Sequence, residues 1–159
     1  MRLWWLMQPG AVTGVDLSPG MIAKAQQMTV LEIPTTFITT DFLNWEPGER
    51  QFDKIFSMEA FYYFSDVPAA IRKATQLLQP GGTFACIVDY YTENVASADW
   101  PSPQQCAVRM QRYAMAEWVR MFQDAGLRQA QQRQIRLPVA LATHPWEHEV
   151  GSLVTIGTT

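Results

Sequence analysis

Three aspartates stand where short apolar or β-branched runs give out: Asp16, Asp41 and Asp89. In an open α/β sheet, ligands bind outside the carboxyl ends of the strands, so an acid at a strand tip is placed to meet one. Asp16 is the most informative of the three. A carboxylate ending the second strand of a nucleotide-binding half can accept hydrogen bonds from both hydroxyls of a ribose. The other reading of Asp16 is a solvated acid ahead of a helix cap. His144 and His148 lie four apart, with Glu147 and Glu149 beside them, and at helical spacing they would imitate a metal pair. Pro145 interrupts that pattern and no third ligand follows, so a surface loop is expected there. Neither Gly-x-Ser-x-Gly nor a cysteine with a credible base is present, which sets aside nucleophilic hydrolysis.

Each strand-end acid needs a strand to present it. Residues 11–17 (AVTGVDL) form a short apolar run ending in an acid, the pattern of a strand buried in a parallel sheet. Ser18 can cap the first free N–H groups of a helix, and Pro19 is preorganised for its first position. That helix should run to about Met28, at most to Leu31, because Pro34 ends it. The runs 35–39 (TTFIT) and 52–58 (FDKIFSM) read as the next two strands. A helix is expected over 66–78, with Ile71, Ala74, Leu77 and Leu78 on one face. Pro80, Gly81 and Gly82 should then turn tightly into a strand over 83–89.

Residues 94–103 read as a loop, and 104–125 as mainly helical, with Gly126 suited to follow the helix end. Two closing strands are expected over 127–137 and 152–156, separated by a polar loop containing His144, Pro145 and Trp146. Residues 3–8 resemble the tail of a core helix stopped by Pro9 and Gly10. Strands alternating with helices across short turns imply one three-layer, mostly parallel α/β domain over residues 1–159.

A net charge of −3 and a pI of about 5.3 argue against a phosphate-binding surface, so no nucleic-acid partner is expected. Lysines and arginines are scattered rather than gathered into a membrane patch. No stretch approaches the ~20 apolar residues that a membrane-spanning helix needs. Residues 1–7 superficially resemble a signal peptide but are short and lack a small-residue cleavage site. Cys86 and Cys106 are expected as buried free thiols of a reducing cytosol, which places the protein in the cytoplasm.

Four segments follow one another in a familiar order. VTGVDLSPGMI (12–22), TTDFLNW (39–45), FDKIFSMEAFYYFSD (52–66) and LLQPGGTFACIVDYY (77–91) resemble the successive motifs of class I S-adenosylmethionine-dependent methyltransferases. The resemblance implies a Rossmann-like sheet, mostly parallel with one antiparallel strand near the C-terminus, and S-adenosyl-L-methionine as cofactor. It implies that Asp16 binds the ribose, with Leu17 and Met21 beside the nucleoside. Asp41 would accept from the adenine amino group, with Phe42 against the ring. Ser57 and Met58 would pass along the methionyl portion, and Glu59 would lie near the reaction centre as the candidate catalytic base. Plain core packing is the alternative for Leu17, Met21, Phe42 and Met58.

Some quinone-type relatives carry metal ligands three and four positions after the acid that matches Glu59. Here those positions are Tyr62 and Tyr63, so no metal is expected. Tyr62, Tyr63, Tyr90 and Tyr91 could line an aromatic acceptor pocket and hold the positive sulfonium by cation–π attraction. They could equally be packing residues. The partner implied is a small-molecule methyl acceptor.

One departure from the pattern matters. The family's first strand and glycine-rich loop have no counterpart in the ten residues before Ala11. That strand normally lies between those at 11–17 and 52–58. These two are therefore expected either to pair directly or to be completed by another chain, a homodimer included, and cofactor binding should be weak. Two further readings stay open: a scaffold or dimerisation module derived from the fold, and a nicotinamide-dependent oxidoreductase. The second would need Gly-x-Gly-x-x-Gly upstream, which is absent.

Overall fold

Val12–Asp16 (β1) and Thr35–Thr39 (β2) pair in parallel, with Asp16 opposite Thr39, and the helix Pro19–Met28 (α1) makes the crossover. A parallel pair requires such a connection, because a tight turn can only reverse the chain. Ser18 supports the start of α1, its Oγ accepting from the Met21 N–H at 3.3 Å. Gly14 is opposite Phe37, and a Cβ there would stand 2.7 Å from the Phe37 ring. Glycine lets that ring lie against the strand. The computed structural model describes residues 10–28, 33–100 and 109–159. They fall into two units, one through Glu49 and the other from Arg50 to Thr159.

The second unit is built on a four-stranded sheet. Its strands are Phe52–Met58 (β3), Leu78–Val88 (β4), Arg128–Ile135 (β5) and Ser152–Thr158 (β6), in the order β3-β4-β6-β5. β3 and β4 are parallel, and β6 alone runs against its neighbours. The chain is thus α/β and mostly parallel, with the antiparallel strand at its C-terminal end. Helices Val67–Gln76 (α2) and Met115–Asp124 (α3) pack on this sheet and on each other. Phe84 of β4 stacks on Phe122 of α3 with ring centroids 4.9 Å apart, beside fully buried Val67, Ile71, Trp118 and Leu153. Asp66 caps α2 by accepting from the Ala69 N–H at 2.8 Å. Gly126, at φ +89°, closes α3, with Gly126 N–H donated to Gln123 O and Leu127 N–H to Phe122 O.

Several boundaries differ from those the sequence suggests. α2 ends at Gln76 with Leu77 as its cap, and β4 begins at Leu78, so Pro80, Gly81 and Gly82 lie within β4 rather than ahead of it. Phe52 pairs with Leu78 and Lys54 with Thr83, so the intervening residues bulge out of the ladder. Thr159 ties that bulge, its Oγ1 donating to Gln79 O at 2.8 Å and accepting from Gly82 N–H at 3.1 Å. The expected polar loop contains a short helix, Pro145–Glu149 (α4), because Glu147 accepts from the Thr143 and His144 N–H groups. Residues 109–114 are not helical, and Tyr113 forms a bridge with Tyr91 instead. The expected helix over 3–8, the extension of α1 beyond Met28 and the site of Cys106 lie outside the described residues.

Among the described residues β1 has β2 as its one hydrogen-bonded neighbour, and β3 has β4. Phe84→Ala should destabilise the second unit by about 3–5 kcal/mol, through lost burial and the cavity left against Phe122. Urea unfolding reads this as a lower midpoint at unchanged slope. A loss under about 1 kcal/mol would show the stacked pair to be peripheral.

Candidate functional site

At the end of the first unit, the Thr40 N–H donates to Asp16 O at 3.0 Å and draws the carboxyl ends of β1 and β2 together. Asp16 Oδ1 accepts from the Ser18 N–H at 2.7 Å, while no described residue donates to Oδ2. Leu17 and Met21, immediately beyond, are 72% and 54% exposed. Core packing therefore does not account for either. Asp41 accepts from the Leu43 N–H at 3.0 Å and from Asn44 Nδ2 at 2.6 Å, which folds residues 41–44 into a turn. Phe42 follows it, half-buried. Asp16, Leu17, Met21, Asp41 and Phe42 thus gather at one end of the β1–β2 pair.

Ser57, Met58 and Glu59 belong to the second unit, at the carboxyl end of β3. Ser57 is buried and its Oγ has no hydrogen-bond partner. Met58 is 46% exposed, so it too lies outside the core. Glu59 takes φ +56°, a left-handed conformation that a side chain with a Cβ disfavours. Three contacts hold it there. Its N–H donates to Ile87 O at 3.0 Å, its Oε1 accepts from the Asp89 N–H at 2.8 Å, and its Oε2 accepts from the Tyr62 hydroxyl at 2.7 Å.

Burial, and then the neighbouring Asp89 charge, push the Glu59 carboxyl up to about 7; the hydrogen bonds from Tyr62 and the Asp89 backbone pull the other way. Asp89 is itself raised, by burial first, against a hydrogen bond with Ser152 that lowers it. Burial raises the Tyr62 hydroxyl, which its bond to Glu59 raises further. The thiol of Cys86, the partner of Ser57 across β3 and β4, rises through burial and the Glu59 charge.

The four tyrosines divide by environment. Tyr91 is fully buried, donating to Gly151 O at 2.8 Å and accepting from Gln134 Nε2 at 2.9 Å, and is a packing residue. Tyr62 is nearly buried, with its ring centroid 4.6 Å from that of Tyr63 and 5.8 Å from that of Tyr90. Tyr63 is exposed and Tyr90 half-buried. Arg112, which sequence reasoning did not single out, lies over the Tyr90 ring at 6.0 Å. It donates to the carbonyls of Tyr91, Thr92 and Asn94 and fixes the turn after β4. Backbone carbonyls leave no signature in a sequence, so nothing there could have revealed this role.

Among the described residues no cluster of three or more His, Cys, Asp or Glu could hold a metal ion, and no helix is long and apolar enough to cross a membrane. One concavity of about 210 Å³ is lined by Gln131, Gln132, Arg133, Val154 and Ile156, and another of about 220 Å³ includes His144 and His148. Neither includes the strand-end residues above.

Glu59 has a consequence for stability. Its pKa is raised in the folded state, so its favourable contribution is complete below the unfolded value of 4.5 and is lost as pH rises through about 7. Such a shift corresponds to about 3 kcal/mol. Glu59→Gln removes the titration, and the Tyr62 hydroxyl can reverse to accept from the new amide. Between pH 5 and pH 8 the native protein should therefore lose stability relative to Glu59→Gln. Denaturant unfolding at both pH values measures the difference, and parallel curves would refute the assignment.

Comparison with known proteins bears on the family and the fold. A family model for the methyltransferase domain matches residues 2–82. Uncharacterized methyltransferases of Mycobacterium tuberculosis and Mycobacterium bovis are 25% identical over 107 residues, 67% of this chain and 53% of theirs. The chain thus spans about half the length of the curated relatives it matches. Among solved structures, a chain from the complex between the Haloferax volcanii Trm112 methyltransferase activator and a protein assigned as a methyltransferase is 32% identical. That match covers 94% of this chain and 71% of the other, at a TM-score of 0.80. An S-adenosylmethionine-dependent methyltransferase from Mesorhizobium loti shares the fold at 18% identity, with 99% and 84% coverage and a TM-score of 0.78. The N-methyltransferase NodS of Bradyrhizobium japonicum, solved with S-adenosylhomocysteine, does so at 18% identity, 92% and 65% coverage and a TM-score of 0.66. The chain belongs to the methyltransferase domain family, with the α/β fold of the class I S-adenosylmethionine-dependent methyltransferases.

Proposed function

We propose that the chain carries out S-adenosylmethionine-dependent methyl transfer to a small-molecule acceptor. One observation carries this reading: Asp16 ends β1 with Oδ2 given no donor among the described residues, and the apolar side chains of Leu17 and Met21 stand exposed beside it. A carboxylate edged by apolar groups suits a nucleoside, whose ribose hydroxyls donate and whose base prefers apolar contact. On this reading Asp16 holds the ribose, Leu17 and Met21 flank the nucleoside, and Phe42 packs against the adenine. Asp41 accepts from the adenine amino group through lone pairs its turn leaves free. Ser57 and Met58 line the methionyl portion.

When bound, S-adenosylmethionine supplies a methyl group already activated by its sulfonium. The chain's own residues have to position the acceptor, exclude water and manage a proton. Glu59 is the candidate base, since a carboxyl poised near 7 can take a proton at neutral pH and give it back. Buried, unpaired Cys86 accords with a cytoplasmic enzyme. A second copy of the chain is the partner we propose for β1 and β3, each of which has a single neighbouring strand among the described residues. A stable dimer indifferent to cofactor would instead favour the scaffold reading.

Titration with S-adenosylhomocysteine tests the proposal, by calorimetry, or by NMR where affinity is weaker than micromolar. Asp16→Ala should weaken binding at least tenfold through loss of the ribose contacts, about 1.4 kcal/mol or more. Equal affinity in the variant would sink the reading.

A further inference from the structure

Glu59 and Asp89 are two partly buried carboxyl groups at the ends of adjacent parallel strands, joined by the Asp89 N–H donated to Glu59 Oε1, and burial raises both. Among the described residues no cation pairs with either. Arg112 lies over Tyr90 with its Nε and Nη2 given to backbone carbonyls. The groups acting on Glu59 are Asp89 from the end of β4 and Tyr62 from the turn 61–63, and Glu59 in turn raises Cys86 within β4. None of these supplies a positive charge.

Two buried oxygens add to this. Asp89 Oδ1 has no donor, and Ser57, 9% exposed, has no partner for its hydroxyl. Ser57 faces the same side of the sheet as its partner Cys86, whose thiol feels the Glu59 carboxylate. Ser57 stands two residues before Glu59, at the end of β3. Tyr62, bonded to Glu59, has the rings of Tyr63 and Tyr90 beside its own, and Tyr63 is exposed. Unsatisfied acceptors, uncompensated carboxylates and tyrosine rings are the complement of an organic cation rather than of an anion or a neutral phenol.

We propose that this tyrosine-edged pair of carboxyls binds the methyl acceptor as a protonated amine, so that the substrate class is a cationic amine. The inference rests on the methyltransferase reading and narrows it. The ammonium would sit against the Glu59 carboxylate and a tyrosine face. One N–H bond then breaks as an O–H bond forms on a Glu59 oxygen, which leaves the nitrogen lone pair free. Tyr62 serves as a positioning residue, since its hydroxyl holds Glu59 Oε2 in place.

Choline is a suitable probe: its quaternary ammonium does not titrate, and 3,3-dimethylbutan-1-ol is its uncharged analogue of the same shape. NMR titration of the whole chain at pH 8 should show choline binding weakened about tenfold by Glu59→Gln, as expected for loss of one charge partner, with the neutral analogue unaffected. Choline binding to the native chain should tighten as pH rises through about 7, where Glu59 ionises. Tyr62→Phe removes a hydrogen bond that lowers the Glu59 pKa, so it should move that transition to higher pH, a shift that loss of packing alone would not produce. The Tyr62 variant keeps the test open should Glu59→Gln fail to fold. Equal affinity for choline and its neutral analogue would overturn the proposal. So would a Glu59→Gln effect confined to S-adenosylmethionine and absent with choline, which would assign the charge to the cofactor's own sulfonium. Intact S-adenosylhomocysteine binding alongside either result would leave the methyltransferase reading standing.

Discussion

The parallel register of β3 and β4 sets Met58 opposite Ile87, and the ladder continues one bond further, from the Glu59 N–H to Ile87 O. That last bond sends Glu59 to a positive φ, with its side chain turned back over the strand ends to receive the Asp89 N–H and the Tyr62 hydroxyl. Both carboxylate oxygens are engaged, by groups arriving from different segments. A left-handed residue with a Cβ costs on the order of 1–2 kcal/mol, and an ionised carboxyl held near 7 costs more at neutral pH. Such strain persists only where the surroundings over-determine it, and it gathers at functional positions.

The acids of the first unit are held in another way. Asp16 and Asp41 are steadied by donors of their own turns, Ser18 for one, Leu43 and Asn44 for the other. Such local bonds orient a carboxylate without removing it from water, which suits an acid that must accept from a ligand. Their cost is small because each donor is at most three residues away. On the proposed reading, the contrast with Glu59 is one of role. An orienting carboxylate should stay charged, whereas a proton acceptor should be poised to change its charge.

Much of the fold was legible where its determinants are local. The β-branched run at Thr35–Thr39 and the apolar run at Phe52–Met58 form strands over those same residues, and Ser18 and Asp66 mark helix starts through caps a few residues long. The start of β4 was not legible, because its bulge is tied by Thr159 from the far end of the chain. The polar stretch around Pro145 reads as a loop until Glu147 is seen to satisfy the N–H groups before the helix. At the site, the strand-end acids follow from chain pattern alone. The environment of Glu59 does not, since the Asp89 N–H reaches it only once β3 and β4 lie in register.

The property that makes Glu59 costly also bears on its chemistry. An ammonium beside an ionised carboxyl is an ion pair, and withdrawing such a pair from water can cost as much as its mutual attraction returns. Moving one proton from nitrogen to oxygen turns the pair into a neutral amine beside a neutral acid, with no charge left to bury. The desolvation that lifts the Glu59 pKa to about 7 therefore favours the neutral pair over the charged one. While the cation is present, its field lowers the carboxyl's proton affinity; once the proton has crossed, that field is gone and burial again holds the proton on Glu59. Transfer thus removes the condition that opposed it, and an amine that arrives charged is left with its lone pair exposed beside a carboxylic acid that retains the proton.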